Sequence, residues 1–541
     1  MKYNSVRIEV YHTECVSAPY LYSWRDISQY INDDQPITFS RGIMGNKLQD
    51  RTARPGVLSF LIKEQKMPCV FYPLFDSPTS ETIIKIGMLI RVVFEHDGVD
   101  YVKFFGKIID INPPRDNLYK TDVTVVCRDY LAEINKALQT PSITLDKTAA
   151  EVVEDVLSGL GITLGSDQAE YNVCATTFDT VFDTVSSKQN ALSEISKAII
   201  GELGYFYLKG SRNVTDEEDS TDIFPTEGNF VLTVDGRNTR EGRAYRTIPV
   251  GNDVVGNLLQ EDGDFLLQEN GGEILLDETE EAELFDDVIS IDHVVTDKII
   301  NHVYVQVYPR EYSGSTEVLF SMTNTPKIVA GETLEMTVKY KDPDNKAESI
   351  TARSAIVPVA STDYTANAER DGSGADLTAN LAVTAVYNAA DINYMLENTG
   401  GTDLYITKLQ ARGQGILFYE SLTAESTNAG SVALYGEIDE RVNMKYRSDI
   451  AEAQEIADAV ITNLSQLTRQ VNGLTIRAND SSRHLFMAMF LEIGDPIKIP
   501  LPDNDFIQAD YKFYINGLSF TGRRGVWDVT YIPASCEVVE I

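Results

Sequence analysis

The chain has 541 residues, 43% hydrophobic and 24% charged, which marks it as globular and too long for one core. Roughly three to five domains is the expectation at that length. Its 46 basic residues stand against 82 acidic ones for a formal net charge of −36, and no Lys/Arg-dense run occurs, so direct nucleic-acid binding is not expected.

Residues 1–140 read as short strands. Val6–Val10, Ile37–Ser40 and Val57–Ile62 alternate with period two, Pro55-Gly56 marks a turn, and Val123–Cys127 closes the set. Short strands joined by Gly, Pro, Asn and Asp turns predict a small N-terminal β-barrel. Residues 141–250 predict a small α+β domain. Thr148-Ala149-Ala150-Glu151 has capping-box spacing ahead of Val152, Val153, Val156, Leu157 and Leu160. A second helix is expected over 190–203, stopped by Gly204, before the strands Tyr205–Leu208 and Phe230–Val234.

Residues 251–312 carry an imperfect acidic repeat at Leu258, Leu266 and Leu275, an acidic stretch over Asp277–Asp287, and return strands such as Val303–Val307. Three units are too few for a solenoid, so a meander or arm is expected. Residues 313–435 have alternating strands and no helical stripe, which predicts an inserted β-sandwich. Residues 436–541 open with one strong helix over 448–467 and continue as a C-terminal β-barrel. The fold class expected is thus mainly β, α+β multidomain.

The two ends share a signature. Ile86-Gly87-Met88-Leu89-Ile90 precedes Phe104-Phe105-Gly106-Lys107-Ile108, and Ile493-Gly494-Asp495-Pro496-Ile497 precedes Phe513-Tyr514-Ile515-Asn516-Gly517. Each reads as a glycine-turned strand with a second strand packed on it.

Candidate chemistry is sparse. The five cysteines (Cys15, Cys69, Cys127, Cys174, Cys536) form no CxxC, so neither a disulfide framework nor a zinc site is indicated and a reducing cytoplasm is expected. Met1–Ile8 has no apolar signal region, and no run nears the ~18 apolar residues of a membrane span. His12, His96, His293, His302 and His484 fit no HxxxH or HExxH pattern and read as structural. With 82 acidic residues, chance carboxylate pairs are certain and point to no glycosidase. Asp342-Pro343-Asp344-Asn345-Lys346 begins like a calcium loop, but Lys346 stands where an oxygen ligand is needed, so a turn is expected. Asp503-Asn504-Asp505 reads as a hairpin tip. No catalytic, cofactor or metal residue is assigned. The positions expected to matter are turn and core residues: Trp24, Gly56, Gly87, Gly106, Gly494 and Trp527.

The order of these weak motifs resembles the tail hub and minor tail proteins of tailed bacteriophages, the baseplate-hub-like family. The resemblance rests on Trp24-Arg25-Asp26-Ile27, Arg54-Pro55-Gly56-Val57, Tyr72-Pro73-Leu74, Gly87-Met88-Leu89-Ile90-Arg91-Val92, Phe105-Gly106-Lys107-Ile108 and Val126-Cys127-Arg128-Asp129-Tyr130-Leu131, and at the other end on the helix from Ser448 and Gly494-Asp495-Pro496-Ile497. Asn398-Thr399-Gly400-Gly401-Thr402-Asp403 resembles the inserted sandwich of some members. The resemblance implies a non-enzymatic virion protein, assembled in the host cytoplasm, that forms a homotrimeric ring at the tail tip. It implies contacts with the distal tail protein, the tape measure protein and tail fibre or receptor-binding proteins. Two similar barrels per chain give a trimer six quasi-equivalent units, which matches a six-fold tube to a three-fold tip. Alternatives remain open: a host-glycan-binding adhesin using sandwich tyrosines (Tyr340, Tyr364, Tyr387, Tyr394, Tyr405, Tyr419), a distal tail ring protein, and a cell-wall hydrolase. The acidic charge fits either plain solubility or a non-sticking conduit wall for DNA.

Overall fold

The computed structural model describes residues 5–14, 21–32, 34–45, 47–63, 84–96, 99–112, 122–135, 137–138, 144–160, 169–171, 174, 177–182, 189–210, 230–235, 246–247, 288–295, 299–466, 469–500, 510–523 and 525–533. The repeat at Leu258–Asp277, the Asp277–Asp287 stretch and the Asp503–Asp505 tip lie outside them.

Period-two alternation builds the terminal regions. Arg54–Lys63 buries Gly56, Leu58, Phe60 and Ile62, and Val526–Pro533 buries Trp527, Val529, Tyr531 and Pro533. Both rows face one shared core. Phe39 stacks on Phe520 at 4.4 Å between centroids, and Phe94 meets Trp527 edge-on at 5.1 Å.

The strands of the two ends join in a single 13-stranded sheet. It contains the same unit twice. In the N-terminal unit the strands Ile37–Gly42, Arg54–Lys63, Asp122–Asp129, Val99–Asn112 and Leu89–His96 lie side by side in that spatial order, all antiparallel. In the C-terminal unit the order is Val288–Val295, Arg469–Arg477, Val526–Pro533, Asp510–Arg523 and Pro496–Pro500, again all antiparallel. In both, the chain visits the first, second, fifth, fourth and third strand of a common plan. Ser5–Glu14 and Leu21–Asp26 extend the N-terminal unit.

In place of the two separate terminal barrels expected, the described residues hold two kindred units of one sheet, and the C-terminal one takes in Val288–Val295 from outside 436–541. Among the described residues no ladder closes either unit on itself. The reason is the 14-residue strand Asp510–Arg523, which outreaches its own unit and pairs along Gly517–Gly522 with Ile37–Gly42.

Beside this sheet lies the α+β part. The helix Ala149–Gly159 starts on the expected capping box of Thr148 and Glu151. The helix Ala191–Glu202 starts on Asn190, whose side chain accepts from the Ser193 N–H, and Leu203 ends it in the left-handed conformation one residue before the expected Gly204. Tyr205–Gly210 is buried at every position, as a strand covered on both faces must be.

The central block is a two-layer sandwich. The 15-residue strand Leu404–Phe418 organises one sheet, and Thr333–Lys339, Asp391–Asn398 and Leu381–Tyr387 form the other. Their shared core draws its buried residues only from Leu319 to Ala411. Below it, His302–Val307 pairs with Leu422–Thr427 and Asp439–Asn443, and the helix Ile450–Leu464 packs Ala453, Ile456, Ala457 and Val460 on that sheet. The helix Ser482–Phe490 was not anticipated in the sequence, where an all-strand C-terminus was expected.

Candidate functional site

The repeated unit carries a repeated turn. Gly87 and Gly494 have φ of 91° and 87°, a region that residues with a Cβ enter at a cost. The Gly87 N–H donates to the Ile108 carbonyl at 2.7 Å, and the Ile108 N–H returns to Met88 O at 2.9 Å. The Gly494 N–H donates to Ile515 O at 2.7 Å, and Ile515 N–H returns to Asp495 O at 2.9 Å. The isoleucine lies the same number of residues beyond the glycine in both halves. A β-bulge follows at once in each, between Ile108 and Asp110 and between Ile515 and Gly517.

Where the two units and the α+β part meet, a set of charges is fully buried. Arg41 lies near the end of the strand Ile37–Gly42, Lys103 lies on Val99–Asn112, and Glu492 follows the helix Ser482–Phe490. The Glu492 carboxylate pairs with both Arg41 and Lys103, the latter at 2.5 Å, and also accepts from the Gly210 N–H at 3.1 Å. Arg41 donates to Leu208 O at 3.2 Å and lies over the Phe230 ring, and Lys103 donates to Met489 O at 2.8 Å. Burial alone would raise the Glu492 carboxyl, but the Arg41 and Lys103 charges overcome it and bring the pKa down to about 2. Burial holds Lys103 below the ordinary lysine value against the pull of Glu492. One carboxylate thus ties three regions of the chain together.

Two more arginines fix the end of the helix Ala191–Glu202. Arg51 donates to Leu203 O at 2.7 Å and Arg447 to Gly201 O at 2.8 Å, placing cations on the carbonyl end where the helix favours them. Tyr446 donates to Glu194 at 2.5 Å from the neck below the sandwich.

Each residue singled out in the sequence has a definite place. Trp24 packs edge-on against Tyr11 and Phe105, with the Arg91 guanidinium 4.3 Å above its ring. A Cβ on Gly56 would lie 2.6 Å from Asp129 Oδ2, and one on Gly106 would strike the Arg128 carbonyl. A Cβ on Gly87 would meet nothing within 4 Å, whereas one on Gly494 would run into the Tyr207 hydroxyl. Trp527 sits in the shared core. Gly56 and Gly106 both approach Asp129, whereas Gly494 lies against Tyr207, Trp527 against Phe39 and Phe94, and Trp24 beside Phe105 in a separate small cluster.

The chemical alternatives map elsewhere. Asp342–Lys346 closes as a turn, with Asp344 N–H donating to Asp342 Oδ1 at 2.9 Å. Tyr340 and Tyr394 are buried in the sandwich core, and the Tyr387 hydroxyl donates to Ile356 O at 3.0 Å. His302 belongs to no sequence motif. It lies between Glu425 and Glu437, at 2.7 and 2.6 Å, and although burial opposes it these two carboxylates hold its pKa above the ordinary value. That arrangement, like the Arg41–Glu492 pair, spans positions too far apart for any sequence motif. Among the described residues no group of three His, Cys, Asp or Glu is placed to hold a metal ion.

No protein-family model and no curated protein matches the chain. Solved structures similar to it include prophage tail proteins and a type VI secretion component. The 43 kDa tail protein of prophage MuSo2 from Shewanella oneidensis shares 10% identity, covering 99% of this chain and 100% of that one, with a TM-score of 0.43. The tail protein from Neisseria meningitidis MC58 shares 8% identity over 99% of each chain, with a TM-score of 0.44. The Escherichia coli c3393 protein, a type VI secretion component described as similar to T4 bacteriophage tail proteins gp27 and gp5, shares 9% identity over 99% of this chain and 78% of that one, with a TM-score of 0.35.

Proposed function

We propose that the chain is a structural protein of a bacteriophage tail and forms the hub ring at the tail tip. The observation that carries this is the duplicated five-strand unit, with matching strand order, glycine turn and bulge in each half. Three chains offer six such units, the number needed to seat a three-fold tip on a six-fold tube. The buried Arg41–Lys103–Glu492 set supports the same role, because it fixes the two units relative to each other inside one chain.

On this reading the partners are the distal tail protein and the tape measure protein on the tube side. Fibres or receptor-binding proteins would attach outside, with the sandwich as a spacer that docks them. Of the six sandwich tyrosines, Tyr340 and Tyr394 pack inward, which removes them from the surface that a glycan-binding adhesin would use; Tyr419 stays exposed. No residue is assigned a catalytic role. Immunogold electron microscopy of purified virions, with antibodies to the full chain, tests the placement. Gold at the distal end of the tail is expected; gold on the capsid or along the tube would overturn the reading.

A further inference from the structure

We infer that the free edge of the N-terminal unit, at Ile86 and Ile109, docks the Val288–Val295 strand of a second copy of this chain. The inference rests on the ring reading and names its interface.

The contact already exists once within each chain. The long strand of the C-terminal unit is flanked at Gly517–Gly522 by Ile37–Gly42, the first strand of the other unit. That contact covers the C-terminal turn. Ile493 is buried, and the Asn516 carbonyl accepts from the Ile43 N–H at 2.7 Å. Gly42 approaches so closely that a Cβ there would lie 2.8 Å from the Ile493 side chain.

The matching turn of the N-terminal unit is not covered in this way among the described residues. Ile86 takes the place of Ile493 and is 59% exposed; Ile109 takes the bulge position of Asn516 and is 44% exposed. The stretch Ile109–Asn112 pairs with Asp122–Asp129 on one side and, among the described residues, with no strand on the other. The complementary half is also unfilled. Ile37–Gly42 is paired along both edges, yet its counterpart Val288–Val295 pairs only with Arg469–Arg477 among the described residues.

Among the described residues each chain therefore holds one completed contact and two unmatched halves of a second. The halves lie in different parts of the sheet order, with Val288–Val295 at its end, so one chain does not join them to each other. Joining them between chains repeats the internal contact and buries two exposed isoleucines. Because the surfaces differ, the association is head-to-tail, the kind of contact that the ring reading requires.

The test compares native mass spectra of the full chain and of the double variant Ile86→Glu with Ile109→Asp. Three-copy particles are expected for the parent and single copies for the variant, with unchanged far-UV circular dichroism. Val357→Asp, at a 71% exposed sandwich position, should keep three copies. A parent chain that stays single overturns the ring reading and this interface together. A parent of three copies with a double variant also of three overturns the interface alone. A photo-crosslinking residue at Ile109 provides a readout on an otherwise unaltered chain: it should link to the peptide bearing 288–295 of another copy, and a link to any other segment contradicts the assignment.

Discussion

Glu492 shows how a single side chain can hold three segments. Its two cationic partners lie 451 and 389 positions away in sequence, and all three groups are excluded from water. Removing one partner from such a set leaves an uncompensated buried charge, at a cost of roughly 3–5 kcal/mol. The pH dependence has a definite sign. The folded carboxyl titrates at about 2 instead of the ordinary 4.5, so its contribution is complete above pH 4.5 and is lost as pH falls towards 2. Asp129 runs oppositely: burial raises it to about 7, so its effect on stability worsens as pH rises from 3.8 to 7. Urea unfolding of Glu492→Gln should show a loss of roughly 3–5 kcal/mol at pH 7 that shrinks below pH 4.5. An unchanged unfolding midpoint at pH 7 would remove Glu492 from the junction.

At the scale of elements, what was legible in the sequence was local. The capping box at Thr148 acts within one turn and starts its helix as expected, and the helices expected over 190–203 and 448–467 stand at Ala191–Glu202 and Ile450–Leu464, on the caps Asn190 and Asp449. The repeated turn was legible because positive φ demands glycine at both 87 and 494. The helix Ser482–Phe490 was not: Leu485, Met487, Ala488 and Met489 are all buried, so no one-sided stripe shows. Nor was the fusion of the units into one sheet, which depends on pairing between Ile37–Gly42 and a strand at the other end of the chain. The sandwich, read as an insertion, has its own core and grows from one hairpin. Val307 and Leu422 are direct antiparallel partners in the sheet beneath it. Replacing residues 308–421 with Asn-Gly should leave a two-residue hairpin and a chain that still assembles to three copies by native mass. A truncated chain that stays single would make the sandwich part of the ring.

For the whole molecule, duplication decides the reading. A net charge of −36 on every chain would repel both DNA and stray copies, so association in the proposed ring has to come from matched edges and apolar contacts. Inside the chain those edges are matched once; between chains the same geometry is available again. The measurement that bears most directly on this is a cryo-electron microscopy reconstruction of the assembled particle. It should show three chains whose N- and C-terminal units alternate as six near-identical lobes around one lumen. A particle in which only one of the two units surrounds the lumen, or in which six chains each contribute one, would contradict it.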